Sequence, residues 1–389
     1  MLHRNPYTTH PDMDSPFEYT NYVTGQTFIG RNNEVAFMCD TIRRKGNVLI
    51  YGPARIGKRS LIYNALNKLK QESFKHTQLE MNLFNIRCIE AFMLKYTNII
   101  FSHFAQSPMD WNSMLKRYIP SAPYVFDEED SSVTKFAYTT KDLLSDEQIV
   151  ELLNLPEEIA KETGKHIVIY FEQFQDILLF DDPHRIFKIF EKIWQGHRNV
   201  SYIITGERKN AMDEIFERHK YFYRLAEKID LKPIDTKIFA DFIVKSFLKG
   251  GKVIKPEQAT QIYNSVQGDP WYAQHLASIC YKMTQGYMSD KVLPEALKAL
   301  INLHDFMFHA VAFGLSKHQL RFIKAVLEGV THFSSGDILD KYNLNSSANV
   351  NRIKEALTKK EIITFNELKE AVFIDPLLKL WFENYFFAK

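Results

Sequence analysis

The segment that most constrains the fold runs from Asn47 to Gln71. It opens with an apolar run, Asn47-Val-Leu-Ile-Tyr51, passes through Gly52-Pro-Ala-Arg-Ile-Gly57-Lys58, and continues as an amphipathic stretch to about Gln71. Strand, glycine-bounded loop and helix in that order match G-x-x-x-x-G-K in the context that makes the pattern specific. The chemistry follows from the backbone. Successive loop N–H groups form a concave anion site, and the start of the next helix adds the positive end of its dipole. Gly52, Pro53, Ala54, Arg55, Ile56 and Gly57 are therefore expected to cradle phosphate, with Lys58 a point charge for the β- and γ-phosphates of a nucleotide. The competing explanation, a chance turn, has to bring strand, loop, Lys and helix together by accident.

The rest of the chain supplies an α/β setting for that loop. Apolar strands are expected at 47–51, near 77–84, at 166–171, at 200–205 and at 229–231. Helices are expected over 33–44, 58–71, 86–103, 146–163 and 183–196, with 104–145 a mostly irregular insertion marked by prolines and by the acidic run Asp127–Asp130. Continuous apolar strands alternating with helices predict a doubly wound parallel sheet flanked by helices, a P-loop NTPase domain over 28–233. Residues 1–27 read as a polar, partly ordered arm. After Pro233 only helical periodicity remains, at 238–248, 256–266, 270–284 and 293–303, which predicts a helical lid domain over 234–305. From 306 to 389 the order is three helices, two short strands (362–366 and 371–374) and an aromatic helix (376–387), the order of a winged-helix domain.

Two places depart from what the loop's chemistry usually requires. A Ser or Thr hydroxyl normally follows the Lys and binds Mg²⁺. Here Arg59 follows, and Ser60 comes one residue later, about 100° further round the helix. Two roles are open to Arg59: binding phosphate in place of metal, or facing solvent or an acidic partner. The second departure is at the end of the strand His166–Phe171, where Glu172 and Gln173 occupy the positions of two acids. Glu172 is the candidate metal ligand, with a longer reach than the usual Asp. Gln173 cannot accept a proton, so it orients a water at best.

With these residues assembled, the chain resembles the archaeal-type ATPases of the STAND clade, relatives of the AAA+ proteins. Phe28-Ile29-Gly30-Arg31 with Glu34 is similar to the opening box of that family, Tyr51–Lys58 to its phosphate loop, and Glu172-Gln-Phe-Gln-Asp176 to its acidic strand end. Ile204-Thr-Gly-Glu-Arg208 is similar to the sensor strand, Gly268-Asp-Pro270-Trp to a lid motif, and Asp375-Pro376 through Trp381 to the ending of its winged helix. The resemblance implies ATP or ADP as ligand, with adenine between Phe28, Ile29 and Arg31 on one side and Pro270 on the other. It implies a γ-phosphate sensor at Arg208 and catalytic roles for Lys58, Glu172, Gln173 and Arg208. Arg59, Glu172 and Gln173 differ together from the pattern. The expected function is accordingly a nucleotide-dependent switch with impaired hydrolysis, and Mg²⁺ at Glu172 is in question. An active Mg²⁺-ATPase and a scaffold or DNA-binding regulator are the alternatives.

Composition narrows the partners. Lys and Arg number 49 against 47 Asp and Glu, a net charge of +2, so no bulk electrostatic case for nucleic acid arises. From Leu315 onward 11 basic residues face 9 acidic ones, again a difference of +2, and Arg352, Lys354 and Lys359 on the third winged-helix helix fit either DNA or a solvated, partner-docking face. Three scattered cysteines fit a reducing compartment, and Met1–Tyr22 has no apolar core for a leader, so a cytoplasmic location is expected. No apolar run reaches the roughly 18 residues of a membrane span. A protein partner is expected, without a sequence that identifies it, and the oligomeric state is open. Arg224 is read as a structural salt-bridge residue in preference to an inter-subunit finger, and His103 and His166 as core or surface residues.

Overall fold

In the computed structural model residues 15–126, 136–138 and 143–388 are described. They divide into two compact units, the first formed by residues 33–54 and 61–231 and the second by residues up to 32, 55–60 and from 232 onward. The first unit carries α1 (Asn32–Arg43, from its second residue), β1 (Asn47–Tyr51), most of α2 (Lys58–Gln71), β2 (His76–Asn82), α3 (Ile89–Phe104) and α4 (Pro108–Tyr118). It continues with β3 (Tyr124–Phe126), β4 (Phe136–Tyr138), α5 (Asp146–Thr163), β5 (His166–Glu172), α6 (Pro183–Trp194), β6 (Val200–Thr205), α7 (Lys209–Asp213) and β7 (Ala226–Asp230).

Five strands form one parallel sheet in the order β2-β5-β6-β1-β7. β1, the strand that feeds the phosphate loop, is paired on both sides and buried along its whole length, which is why its residues are apolar without alternation. Its first residue is polar for a reason. Asn47 accepts the Tyr202 N–H at 2.8 Å and donates to the Leu225 carbonyl at 3.0 Å, satisfying backbone groups beside two neighbouring strands. Buried Glu157 on α5 accepts the N–H groups of Arg198 and Asn199 at 3.1 and 2.9 Å and so fixes the turn into β6. The insertion is more regular than its prolines suggested. Pro108 sits in the first turn of α4, where no N–H is needed, behind a Ser107 cap, and β3 pairs with β4 as a hairpin. The acidic run Asp127–Asp130 lies outside the described residues.

The second unit is helical. α8 (Thr236–Lys249), α9 (Pro256–Ser265), α10 (Pro270–Met283) and α11 (Val292–Phe313) precede α12 (Lys317–Leu327), α13 (Gly336–Lys341), α14 (Ser347–Lys359), the hairpin β8 (Ile363–Phe365) and β9 (Ala371–Phe373), and α15 (Pro376–Trp381). One apolar core runs through these elements. α11 is twice the expected length, so residue 305 falls inside a helix; Trp381 donates to Asp305 at 2.7 Å, tying α15 to its middle. The final aromatic segment is α15 followed by a π turn over 382–386, shorter than the helix expected to 387. The arm is also ordered earlier than expected. From Ser15 it lies along α8 and α10, with Phe17 buried in the core, the Trp271 indole donating to the Tyr19 carbonyl at 2.6 Å, and the Tyr19 ring stacked on His275 at 4.2 Å. Among the described residues no helix is long and apolar enough to cross a membrane.

Candidate functional site

The loop between β1 and α2 has the backbone that a phosphate cradle needs. Gly52, Arg55 and Gly57 all have positive φ, at 146°, 64° and 99°. The glycines adopt this without cost; Arg55 does not, and a non-glycine residue there is held by its surroundings. α2 starts at Lys58, so the positive end of its dipole follows the loop directly. The Lys58 and Ser60 side chains are buried, whereas Arg59 is exposed with its guanidinium 5.6 Å from the Tyr22 ring centre. The Ser60 hydroxyl accepts the Val23 N–H at 3.0 Å. The serine displaced by one position thus secures the N-terminal strap.

Within the second unit the loop's later half opens on a small cleft of about 80 Å³. Its lining brings together most of the residues expected to surround a base: Phe28, Ile29, Arg31 and Pro270, with Arg55, Ile56, Gly57 and Ser60. Arg31 is buried and donates to the Lys232 carbonyl at 2.6 Å. It thereby ties residues 28–31 to the segment that leads into α8. Sequence reasoning missed the strap, which contributes Tyr19, Asn21 and Val23, and the aromatic and amide side chains Trp271 and Gln274. The signal was present in Trp271 and Gln274, three residues apart and so on one side of α10.

The first unit holds Gly52, Pro53 and Ala54 of the loop together with Glu172 and Gln173, two of the residues expected to act on metal and water, and Arg208, the expected γ-phosphate sensor. Glu172 accepts from Asn82 at 2.9 Å and from the Tyr170 hydroxyl at 3.2 Å. Gln173 stands in the left-handed region, φ 60°, and its carbonyl oxygen accepts from Gln175 at 2.6 Å. Arg208 is paired with Asp176 at 2.9 Å, on a carboxylate that is itself nearly buried. The expected sensor therefore has an internal counter-ion four residues beyond the strand end. Arg224 is not in an ion pair among the described residues; its guanidinium lies over the ring of Tyr223 at 5.2 Å.

Comparison with known proteins now decides the architecture. The Walker-type ATPase of Pyrococcus abyssi superposes with a TM-score of 0.63 at 15% identity, covering 93% of this chain and 98% of that one. The ORC2 protein of Aeropyrum pernix, in its ADPNP–ADP complexes, gives 0.57 at 14% identity over 94% and 96%. This chain has the fold of the archaeal Walker-type ATPases. Residues 306–384 also match the family model described as a probable winged helix domain. No curated protein sequence matches the chain.

In this Walker-type fold Arg55 has a setting that its place in the loop did not reveal. Its guanidinium pairs with Asp375 at 2.9 Å and lies over the rings of Tyr272 and Trp271 at 4.4 and 4.8 Å. The Tyr272 hydroxyl donates to the same Asp375 oxygen at 2.9 Å. Asp375 and Asp269 are the N-caps of α15 and α10, each followed by proline, so two helix starts converge on one cation. Burial opposes the charge on Arg55, but the surrounding acidic groups outweigh it and hold the guanidinium ionised. Burial pushes the Asp269 carboxyl up to about 6 despite Arg55 and two capping N–H groups. Arg55 is therefore a structural hub of the second unit, and the phosphate loop is fastened to it.

Proposed function

We propose that the protein is an ATP- or ADP-binding switch of the STAND type in which hydrolysis is impaired. The observation that carries this reading is the cleft itself: aromatic and apolar walls from Phe28, Ile29, Pro270 and Trp271 meet the loop residues Arg55, Ile56 and Gly57 in a single cavity. Aromatic and apolar walls beside a phosphate loop supply the two kinds of contact, stacking and anion binding, that a base and a phosphate chain need. Gly52 to Gly57 and Lys58 would hold the phosphates, with Arg208 the γ-phosphate sensor once it leaves Asp176. Impairment is supported by three features. Gln173 offers no base, Ser60 is engaged by the strap, and Arg59 supplies no hydroxyl for a metal, its guanidinium lying over Tyr22 instead.

One observation favours a second reading, an active Mg²⁺-ATPase. Glu172 remains a hydrogen-bonded carboxylate and would hold hydrated Mg²⁺, which screens phosphate charge when bound. DNA binding gains less support: Lys354 lies 5.2 and 5.6 Å from the rings of Phe333 and Phe365, within the packing of the winged helix. Calorimetric titration of nucleotide-stripped protein with ATP and ADP, in Mg²⁺ and in EDTA, tests the switch. Binding that survives EDTA and disappears in Lys58→Ala is expected. Binding with sustained turnover only in Mg²⁺ would favour the second reading, and no binding in either buffer would refute both.

A further inference from the structure

α11 carries a second apolar face that its core contacts do not use. Ile301, Phe308 and Ala312 are buried in the core of the second unit. About half a turn away around the helix, Leu303, Phe306, Met307 and Phe313 are 63%, 77%, 44% and 94% exposed, and Ala310 lies exposed among them. A surface helix normally presents polar residues on that side. From Leu300 to Phe313 the sequence contains one carboxylate, Asp305, and no Lys or Arg, and Asp305 is engaged by the Trp381 indole at 2.7 Å.

The spacing defines the kind of surface that fits this face. Leu303, Phe306, Ala310 and Phe313 follow one another at intervals of three, four and three residues, the a/d repeat that seats one helix against another. The stripe is also complementary to itself. Laid antiparallel on a second copy, about a two-fold axis level with residue 308, Phe306 falls opposite Ala310 and Phe313 opposite Leu303. A large ring meets a smaller side chain in each layer, as close packing across a two-fold interface requires.

The area agrees with that occupant. The four exposed side chains amount to nearly three whole ones, and at about 150–250 Å² for a large side chain they offer roughly 500 Å². Two copies together would cover about 1,000 Å², the lower bound for a specific interface and far below an obligate one. We propose that the protein forms a weak, reversible two-fold dimer in which α11 packs antiparallel on α11 of a second copy. The inference is independent of the nucleotide-binding reading.

Sedimentation equilibrium of the full chain is the test. An interface of this size should be half-formed at about 10–100 µM, so between about 1 and 300 µM the average mass should climb from one chain toward two. Phe306→Glu, at a position already in solvent, should leave the fold intact and weaken association about tenfold or more. Ala310→Phe is the discriminating variant. It enlarges the apolar surface but fills the seat of Phe306, and it too should weaken association about tenfold or more. The register has its own readout, in a Cys88→Ser background because the other two cysteines are buried. Oxidising a mixture of Leu303→Cys and Phe313→Cys proteins should give a linked dimer that neither gives alone, since equivalent positions lie about 15 Å apart along the paired helices. A single-chain mass at every concentration would overturn the proposal. So would association that Ala310→Phe strengthens, association that Phe306→Glu leaves unchanged, or ready linkage of Leu303→Cys protein to itself.

Discussion

Replacing Asp375 tests whether the phosphate loop is fastened to the C-terminal winged helix. One carboxylate oxygen accepts the Leu377 and Leu378 N–H groups at 2.9 and 3.1 Å and caps α15; the other takes Arg55 and the Tyr272 hydroxyl, each at 2.9 Å. Asp375→Asn can keep the capping oxygen and replaces the second with an NH₂ that accepts from neither partner. Breaking a fully buried ion pair costs about 3–5 kcal/mol. The Asp375 and Arg55 side chains retain 21% and 30% exposure, so water screens part of that loss. A cost of about 2 kcal/mol is expected for Asn, allowing for that screening of a charge-assisted bond. Asp375→Ala also removes the cap and should cost about 1 kcal/mol more. Native-state hydrogen exchange of the α10 and α15 amides reads the second unit directly, without assuming that the whole chain unfolds in one step. The decisive comparison is a cycle with Arg55→Met, which keeps the positive φ and removes the charge. In that background Asp375→Asn should cost less than half as much. An equal cost in both backgrounds would refute the ion pair as the link.

Three further outcomes follow from other parts of the molecule. Gln173→Glu supplies a proton acceptor beside Glu172, and Mg²⁺-dependent ATP turnover should rise at least tenfold; an unchanged rate in a phosphate-release assay would place the defect at Arg59 and Ser60 instead. His197 is buried between the Tyr202 hydroxyl at 2.8 Å and Asn154 at 3.2 Å, and burial lowers its pKa to about 4. A base with a depressed folded pKa contributes stability that is present above its unfolded value and lost as pH falls toward the folded one, so acidification from pH 7 to 5 should cost about 2 kcal/mol at this site, and His197→Gln should remove that part of the slope in urea titrations. Gly30 has φ 67° and a Cβ there would stand 2.6 Å from the Ile234 methyl, so Gly30→Ala should destabilise the second unit by about 2–3 kcal/mol, seen as a lowered melting temperature.

What was legible in the sequence, and what was not, has a consistent physical cause. β1, α2, α5 and β6 have the bounds their sequence predicts because each is set by local rules: a continuous apolar run for a buried parallel strand, or a capped amphipathic helix with Ser145 and Gln148 at one end and Gly164 at the other. α11 was cut short because Leu303, Phe306, Met307 and Phe313 are exposed, so apolar residues there do not mark a single buried face and the helical period fades. The strap was dismissed as an arm because its hold on the protein comes from residues more than two hundred positions away, such as Trp271 for Tyr19 and Ser278 for Ser15. Arg55 is the most instructive case. Motif reading assigned it to the phosphate cradle by its backbone, and the backbone does adopt the left-handed conformation that a cradle needs. Its side chain answers to Asp375, 320 positions later, and to two rings on α10. A motif specifies the chain path of a loop, but a partly buried guanidinium is placed by whichever carboxylates the fold brings to it. The Asp-Pro pairs at 269–270 and 375–376 were visible as helix starts, and only the folded chain turns both toward the same cation.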